Sequence, residues 1–435
     1  MSAVERRVAA RRRQHDELAA IALRGPWEHI ELALRLERES RLDADDASDL
    51  AARLLSRFPG EPPSRPESLA SAIRTFPPLP VRTLPDSRAV PVEPEPVWRW
   101  DVARWRTVEE CAHALDLTEG ELYWFADARG WNRRAGTALR HYRYRWVPTR
   151  SGGVRLLEQP KPRLAELQRR AVRHVLGALP VHDAAHGFRR GRSAATCAAP
   201  HASKDLVVRL DLEGFFAAVS AARLRGLLRL AGYPDGVATL LAGLLTTSTP
   251  VDVLAAAPRS RDDAVRRRLL HRLAAPHLPQ GAPSSPSAAN AVAYHLDVRL
   301  AGLAGVLGAA YTRYADDLAF SGDARLPLHR LLPGVRLIAR EEGFRLRDSK
   351  TSIAAAHQRQ RVAGLVVNAA PAAPRAEYDA LRAILHNCAR TGPQAQNRHG
   401  HPDFRAQLLG RIAWIGSTHP GRAARLRALF ERITW

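Results

Sequence analysis

Cysteine and long hydrophobic runs are scarce in this chain of 435 residues. The three cysteines, Cys111, Cys197 and Cys388, are far apart and form no CxxC pair, so we expect neither a disulfide framework nor a cysteine zinc site. No run approaches the roughly 18 apolar residues of a membrane-spanning helix, and the charged N-terminus lacks the apolar core of a signal peptide. These absences predict a cytoplasmic protein without a membrane partner.

Acidic side chains are too few to balance the basic ones. Lys and Arg total 66 against 44 Asp and Glu, which gives a net charge of +22. A surplus of this size is typical of a protein that binds a polyanion, with nucleic acid as the first candidate and an anionic membrane surface as the second. A GC-rich genome would explain Arg in place of Lys, but it would not explain the missing acidic residues.

The composition divides the chain into four segments. Residues 1–58 are rich in Ala, Leu, Arg and Glu and are predicted to form a helical extension. Prolines crowd residues 59–98, which predicts a linker or an extended strap. Residues 99–368 carry the strand and helix patterns of a compact body, and residues 369–435 are helical and rich in arginine.

Local signals predict where some elements of the body begin and end. Trp98, Trp100 and Trp105 either pack the end of the strap onto the body or stack on bases, and packing is the favoured interpretation. Ser220 and Gly232 are typical of the start and the end of a helix. Two strand-like segments around Ser151, Gly152 and Gly153 predict a hairpin, and Thr107 is predicted to cap a helix, with Glu110 three residues on.

Three aspartates have the arrangement that two-metal nucleotidyl transfer needs. Mg²⁺ takes carboxylate oxygens and shares substrate phosphates, and a pair of such ions activates a hydroxyl and holds a triphosphate. Asp211 ends a short β-branched run, and Asp316 and Asp317 lie between two strand-like segments that meet in a tight turn. A lone Asp-Asp pair is a weak signal, because most such pairs lie at solvated turns or helix caps. The combination with Asp211 is much more specific.

Six motifs over residues 100–370 resemble, in order, those of reverse transcriptases. They are the fingers motif at 155–161, the HGF and GRS segment at 185–193, the first aspartate motif at 210–216, the LPQGxxxSP box at 278–286, the YxDD box at 314–317 and the fourth palm motif at 343–351.

Two further segments resemble the retron branch of that family. Residues 362–368 are similar to its VTG segment, with Ala363 in place of Thr, and residues 197–201 are similar to its NAxxH segment, with Cys197 in place of Asn. The block after Asn368 shows neither the maturase region nor the nuclease that intron-encoded enzymes often add.

The resemblance implies the residues of the metal site. Asp211 and Asp316 would ligate both Mg²⁺ ions, with Asp317 nearby as a more auxiliary ligand. The backbone carbonyl of Leu212 would complete one metal shell. Lys350 would protonate the pyrophosphate leaving group, unless it is a solvated surface lysine.

The resemblance also implies the residues of the nucleotide site. Arg155 would pair with the triphosphate, because a guanidinium fork matches phosphate oxygens, and Gln280 would contact the incoming nucleotide. Gly281 would allow close backbone approach. Phe216 stands where the family places the ring that excludes a 2′-hydroxyl, whereas Phe215 is expected in the core.

RNA contacts are expected mainly in the C-terminal segment. Its arginines, among them Arg411, Arg422 and Arg425, are either a solvated helix face or a thumb that grips a duplex backbone, and the thumb is favoured. The resemblance implies that this region recognises stem-loops of a cognate RNA. His201 is given either an RNA contact or a structural role, and His186 a structural one.

We therefore expect an α+β right-hand polymerase with fingers and palm over 99–368, a helical thumb over 369–435 and an N-terminal helical extension. The resemblance implies RNA-directed DNA synthesis from dNTPs with Mg²⁺, in which a structured noncoding RNA is copied into msDNA from a guanosine 2′-hydroxyl. An effector protein and a role in antiphage defence would accompany it. Two alternatives stay open: another bacterial reverse transcriptase, of orphan defence or group II intron type, and a catalytically silent RNA-binding scaffold.

Overall fold

Runs of helices separate short groups of strands along the chain, as expected of an α+β protein. The computed structural model describes residues 14–40, 42, 44–63, 65–76, 97–149, 152–260 and 262–435. Among these residues, every helix falls short of the length and hydropathy that a bilayer span requires. The helices are α1 (within 14–22), α2 (His29–Glu39), α3 (Ala44–Arg57), α4 (Pro66–Thr75), α5 (Val108–Ala114), α6 (Glu119–Phe125), α7 (Pro162–His174), α8 (Ala194–Ala198), α9 (Ala221–Ala231), α10 (Asp235–Leu245), α11 (Val251–Ala255), α12 (Asp263–Ala274), α13 (Ser285–Val292), α14 (Tyr294–Val306), α15 (Leu328–Glu341), α16 (Arg375–Thr391), α17 (Pro393–Gln396), α18 (Phe404–Gly416) and α19 (Pro420–Glu431).

The strands form one central sheet and two hairpins in the described residues. Strands β3, β4, β5 and β6 make up the central sheet, in the order β4-β5-β3-β6 with antiparallel neighbours, while β1 pairs with β2 and β7 with β8. The strands are β1 (Tyr142–Pro148), β2 (Val154–Pro160), β3 (Leu206–Asp211), β4 (Ala310–Tyr314), β5 (Asp317–Gly322), β6 (Ser352–Ala355), β7 (Arg361–Val362) and β8 (Leu365–Val366).

Both faces of the central sheet are covered, so that its two sides belong to different cores. Val208 and Phe320 pack in a large core with α9, α10 and α14. Val207 and Ala319, one position along each strand, pack instead with α8 and the C-terminal helices. Successive side chains of a strand point to opposite faces, so β3 and β5 are mostly apolar on both faces. Asp211 and Asp317 lie at the end of the sheet where these apolar stretches stop.

The N-terminal helices α1 to α4 share a core of their own. Leu36, Leu54 and Leu69, one each from α2, α3 and α4, are fully buried in it. The prediction of a linker or strap over 59–98 was therefore wrong for Pro66–Thr75, which is helical. Pro66 stands in the first turn, where a missing N–H costs nothing, so this proline starts a helix. Residues 77–96 lie outside the described residues.

The N-terminal unit packs against the hairpin of β1 and β2. Leu34 on α2 is buried together with Leu156 on β2 and Leu270 on α12. Arg133 and Glu31 form an ion pair of 3.2 Å across the same contact, with the Arg133 side chain 9% exposed. The predicted hairpin is confirmed, although Ser151 lies outside the described residues.

The tryptophans before the body pack onto it, which confirms the favoured interpretation. The Trp98 ring meets Tyr233 edge-on at 5.1 Å between centroids, and Trp105 is buried. Gly232 ends α9 with φ of 115°, and a Cβ there would lie 2.8 Å from the Val97 carbonyl. The caps are confirmed as well, because Ser220 accepts a hydrogen bond from the Arg223 N–H and Thr107 from the Glu110 N–H.

Candidate active site

The three aspartates meet at one end of the central sheet. Asp211 is the last residue of β3, and Asp317, the first of β5, lies directly opposite it. Side chains of directly opposite residues share a face, with Cβ atoms about 4.5–5.5 Å apart. Asp316 occupies the turn between β4 and β5, and its carbonyl accepts a hydrogen bond of 2.9 Å from the Leu212 N–H. The antiparallel register thus unites two motifs that are far apart in sequence.

The turn that carries Asp316 is strained and held from two sides. Ala315 has φ of 56°, a left-handed conformation that costs about 1–2 kcal/mol for a residue with a Cβ. Gly187 lies so close that a Cβ on it would be 2.6 Å from the Ala315 nitrogen. From the other side, Nη1 of Arg313 donates to the Ala315 carbonyl at 3.1 Å. These contacts fix the backbone from which the Asp316 side chain projects.

Negative charge is concentrated at these aspartates. Burial, together with the charges of Asp211 and Asp317, raises the pKa of Asp316 to about 6. Burial raises the pKa of Asp317 as well. Two cations offset part of the repulsion: Nζ of Lys350 donates to Asp211 Oδ2 at 2.5 Å, and Nε of Arg347 lies 3.6 Å from Asp211 Oδ1.

The donor set fits a divalent cation in an open site. Carboxylate oxygens are the ligands that hard cations such as Mg²⁺ take, and Mg²⁺ usually binds through one or two carboxylates plus waters and substrate phosphates. Within the described residues, no group of three or more His, Cys, Asp or Glu side chains is arranged so that it could hold a metal ion by itself. An open site agrees with that finding, because substrate oxygens would supply the remaining ligands.

A cleft of about 670 Å³ opens beside the aspartates. It brings together most of the residues predicted to bind substrate, whereas Asp211, Asp317 and Gly281 lie outside its lining. The predicted residues in the lining are Arg155, Leu212, Phe216, Gln280, Asp316 and Lys350. Lys350 therefore lies at the site and is not a remote surface lysine, although its side chain is 41% exposed.

The two adjacent phenylalanines have different surroundings. Phe215 is buried and stacks on Phe344 at 5.7 Å, as expected of a core residue. Phe216 is half-buried, lines the cleft and lies 6.2 Å from the exposed ring of Phe188. Both phenylalanines line the cleft, but Phe216 is the less buried of the two.

Gly281 makes its close approach to a strand. It has φ of 129°, and a Cβ on it would lie 3.2 Å from the Glu158 carbonyl on β2. The Glu158 N–H donates to the Gln280 carbonyl at 2.8 Å. The glycine therefore lets the loop at 278–281 lie flat against the hairpin. Gln280, and not Gly281, lines the cleft in which a nucleotide is expected.

His201 is structural, and the alternative of a direct RNA contact was wrong. Its side chain is fully buried, with Nδ1 at 2.7 Å from Ser321 Oγ and Nε2 at 2.8 Å from Thr312 Oγ1. Burial lowers the pKa of His201 to about 4, so the ring is neutral. His186 is buried too, and its Nδ1 lies 2.9 Å from Thr196 Oγ1.

The C-terminal arginines lie apart from the cleft lining. Arg425 on α19 is exposed, whereas Arg422 lies over the Tyr378 ring at 5.3 Å. Arg411 on α18 is half-buried and lines a smaller groove with Trp414. Their backbone is fixed by the C-terminal helices, whose core is continuous with one face of the central sheet.

Sequence reasoning missed a buried network behind the turn that bears Asp316. Arg313, one residue before the YxDD box, is fully buried and forms an ion pair of 2.6 Å with Asp297, also fully buried. Its Nη1 also donates to Asn290 Oδ1 at 3.0 Å. A charged residue inside an apolar strand pattern was the available signal, but the sequence did not show which carboxylate would neutralise it.

Comparison with known proteins identifies a family to which part of the sequence is similar. Residues 147–367 match the family described as reverse transcriptase (RNA-dependent DNA polymerase). This range contains all three aspartates, Arg155, Phe216, Gln280 and Lys350.

Individual relatives match beyond that domain. The chain is 42% identical over 331 residues to the Retron Mx65 reverse transcriptase of Myxococcus xanthus, covering 75% of this chain and 72% of the relative. It is 41% identical over 345 residues to the Retron Mx162 reverse transcriptase of the same organism, covering 75% and 66%. It is 30% identical over 251 residues to the Retron Ec86 reverse transcriptase of Escherichia coli, covering 57% and 70%.

Proposed function

The chain belongs to the retron reverse transcriptases, and on that premise we propose that it copies a dedicated structured noncoding RNA into msDNA. Membership of this family supports RNA-directed DNA polymerase activity. The observation that carries it in this chain is the meeting of Asp211, Asp316 and Asp317 beside a cleft lined by Arg155 and Gln280. A catalytically silent scaffold would have no need of three aspartates at one end of the sheet, one of them on a strained turn.

The elements divide into the parts of a right hand. We assign the hairpin of β1 and β2 to the fingers, the central sheet to the palm and α16 to α19 to a helical thumb. The N-terminal extension then includes α4, so its boundary moves from residue 58 to about residue 76. Leu34 lies in one buried cluster with Leu156 of the hairpin and Leu270 of α12, so we assign to this extension the support of the fingers.

Asp211 and Asp316 would hold Mg²⁺, with Asp317 as the auxiliary carboxylate and the Leu212 carbonyl as a further oxygen donor. When bound, a pair of such ions activates the attacking hydroxyl and stabilises the triphosphate oxygens. Lys350 is suited to two roles. In this structure its ammonium donates to Asp211, and because Lys350 also lines the cleft, it would pass a proton to the leaving pyrophosphate during the reaction.

Arg155 and Gln280 would hold the incoming dNTP from two sides of the cleft. The guanidinium of Arg155 is exposed and projects from β2, so it is open to a triphosphate. Gln280 lines the same cleft and is half-buried. Phe216 would close the sugar side against a 2′-hydroxyl.

The RNA would be both template and primer. We propose that the thumb arginines, among them Arg411, Arg422 and Arg425, hold RNA stem-loops, and that a guanosine 2′-hydroxyl starts synthesis. Net charge of +22 supports a large RNA partner. A paired effector protein and a role in antiphage defence belong to the same proposal.

Expression of the gene with its upstream flank tests the proposal. Extracted nucleic acid is treated with RNase and then with a debranching enzyme. We expect a discrete DNA band that shifts on debranching and is absent in Asp316→Asn, while RNA binding by that variant stays nearly intact. Asp323→Asn is a matched control, because Asp323 is exposed and outside the cleft lining.

Each outcome decides a different part of the proposal. Full DNA synthesis by Asp316→Asn would overturn the two-metal assignment. No branched DNA, with synthesis still seen on an added primer and template, would keep the polymerase and reject the dedicated RNA. No Mg²⁺-dependent incorporation on any template would favour the RNA-binding scaffold.

A further inference from the structure

A buried charged pair joins the fingers hairpin to the loop that carries Gln280. Glu158 lies on β2, and His277 immediately precedes the loop at 278–281. Glu158 Oε2 and His277 Nε2 are 2.8 Å apart, and the two side chains are 0% and 1% exposed. None of the roles assigned above explains a pair of charges at this depth.

Both ring nitrogens of His277 face oxygen atoms, an arrangement that favours the doubly protonated ring. Nε2 meets the Glu158 carboxylate, and Nδ1 lies 2.8 Å from the Ala275 carbonyl. Burial by itself lowers the pKa of His277, but Glu158 and the carbonyl outweigh it and raise the pKa above its usual value. Thr249 Oγ1 donates to the second carboxylate oxygen at 2.7 Å, so both oxygens of Glu158 have donors.

The backbone of the same two residues holds the nucleotide loop. The Glu158 N–H donates to the Gln280 carbonyl at 2.8 Å, and Gly281 lies against the Glu158 carbonyl. His277 exchanges two backbone hydrogen bonds of 2.9 and 3.0 Å with Thr247, which anchors the loop to the body. Arg155 stands three residues before Glu158, and Gln280 three residues after His277.

Stability alone is a poor reason for such a pair. Replacing a buried ion pair by apolar residues of similar volume is often neutral or stabilising, whereas a hydrogen-bonded pair restricts how the two segments that carry it lie. Here the pair links the strand of Arg155 to the segment that leads into the loop of Gln280. A shift of about 1 Å between two groups that bind one substrate can cost about a hundredfold in rate.

We propose that Glu158, His277 and Thr249 are positioning residues, which hold Arg155 and Gln280 at the separation that the incoming dNTP requires. The inference rests on the proposed function, because Arg155 and Gln280 receive their nucleotide roles there.

Steady-state incorporation on an added primer and RNA template with Mg²⁺ tests it, with active-site titration to count competent molecules. His277→Ala should raise the KM for dNTP by about tenfold or more and change kcat per competent molecule little. Thr249→Val should raise KM less, and it serves as the deciding variant if His277→Ala fails to fold. Glu158→Gln should stay near the wild-type KM, because its amide can donate to a neutral His277 while its carbonyl accepts from Thr249.

Gln360→Ala is the matched control for reduced stability. Gln360 is fully buried and hydrogen-bonded to the Lys204 and Ala354 carbonyls, outside the cleft lining. We expect a lower melting temperature and fewer competent molecules in this variant, at an unchanged KM. The same pattern in both His277→Ala and Thr249→Val would overturn the proposal and leave the pair a purely structural one.

Arg155→Ala and Gln280→Ala separate this inference from the proposed function. Both should raise the KM for dNTP. If they do and the His277 and Thr249 variants do not, only the positioning role fails. If neither raises KM, the nucleotide assignments themselves fail, and the positioning role fails with them.

Discussion

Arg313 is fully buried, yet each of its guanidinium nitrogens is hydrogen-bonded. Nε and Nη2 donate to the two Asp297 oxygens at 2.8 and 2.6 Å, and Nη1 donates to Asn290 and to the Ala315 carbonyl. The planar fork suits this arrangement, because its donors point in fixed directions. Arg313 thereby connects α13 and α14 to the turn that bears Asp316.

Removing that guanidinium should be costly. Arg313→Met leaves Asp297 buried without its partner, which we expect to lower the free energy of unfolding by about 3–5 kcal/mol, measured by urea denaturation. The double variant Arg313→Met/Asp297→Leu should recover much of the loss. Arg299→Met is the control, since Arg299 pairs with Glu341 and Glu342 at the surface, and its unfolding midpoint should hardly move. If Arg313→Met and Arg299→Met lowered the free energy of unfolding equally, the buried ion pair of Arg313 with Asp297 would not have the stabilising role assigned to it.

Phe216 offers a separate test of the sugar side of the cleft. Phe216→Ala should admit ribonucleotides, because a 2′-hydroxyl would no longer meet a ring. We expect the preference for dNTP over NTP, measured as the ratio of kcat/KM values, to fall by about tenfold or more. Phe320→Leu is the control, because Phe320 is fully buried, stacks on Tyr311 and lies outside the cleft lining. This change should lower stability and leave sugar preference unchanged. Unchanged selectivity in Phe216→Ala would remove its role as the gate.

At the scale of elements, the segment around Gly187 and the β4–β5 turn are packed backbone against backbone. A Cβ on Gly187 would lie 2.6 Å from the Ala315 nitrogen and 3.3 Å from the Tyr314 carbonyl carbon. Backbone atoms cannot move aside as a flexible side chain does. Any side chain at position 187 must therefore displace the turn that bears Asp316 or the segment around position 187 itself.

We expect Gly187→Ala to reduce kcat by about a hundredfold while RNA affinity stays close to wild type. Single-turnover primer extension and a binding titration would measure the two effects. Gly302→Ala provides the control, because Gly302 lies inside α14 and a Cβ there meets nothing within 4 Å. That change should leave kcat unaltered and add about 0.5–1 kcal/mol of stability. A wild-type kcat in Gly187→Ala would show that the turn tolerates displacement.

Elements set by neighbouring residues could be predicted from the sequence. Ser220 and Gly232 bound α9 because cap chemistry acts within a few residues. Pro66 was misread, since a proline in the first helical turn and a proline in a linker look alike when many prolines are near. The pairing of Glu158 with His277 and of Arg313 with Asp297 could not be predicted from the sequence. Each depends on which segments the fold brings together, and local patterns carry no such information.

At the scale of the whole molecule, the three arginines proposed to bind RNA lie on other elements than the three aspartates. The aspartates lie at the end of the central sheet, whereas Arg411, Arg422 and Arg425 lie on the C-terminal helices. One core joins those helices to the back of the sheet. RNA held by the helices would thus be held in a fixed relation to the active site, which a tethered flexible domain would not provide.

The salt dependence of RNA binding should show whether these arginines contact RNA phosphates. Removing one phosphate-binding cation reduces the steepness of log affinity against log salt by about 0.7–0.9. Arg425→Gln should therefore flatten the slope by roughly that amount, and the triple variant with Arg411→Gln and Arg422→Gln should flatten it further. Fluorescence anisotropy with the transcript of the upstream flank, over a salt series, would measure it. Arg225→Gln is the control, because Arg225 is already paired with both Asp235 oxygens. If the triple variant kept the wild-type slope, these arginines would be a solvated helix face and the RNA grip would have to lie elsewhere.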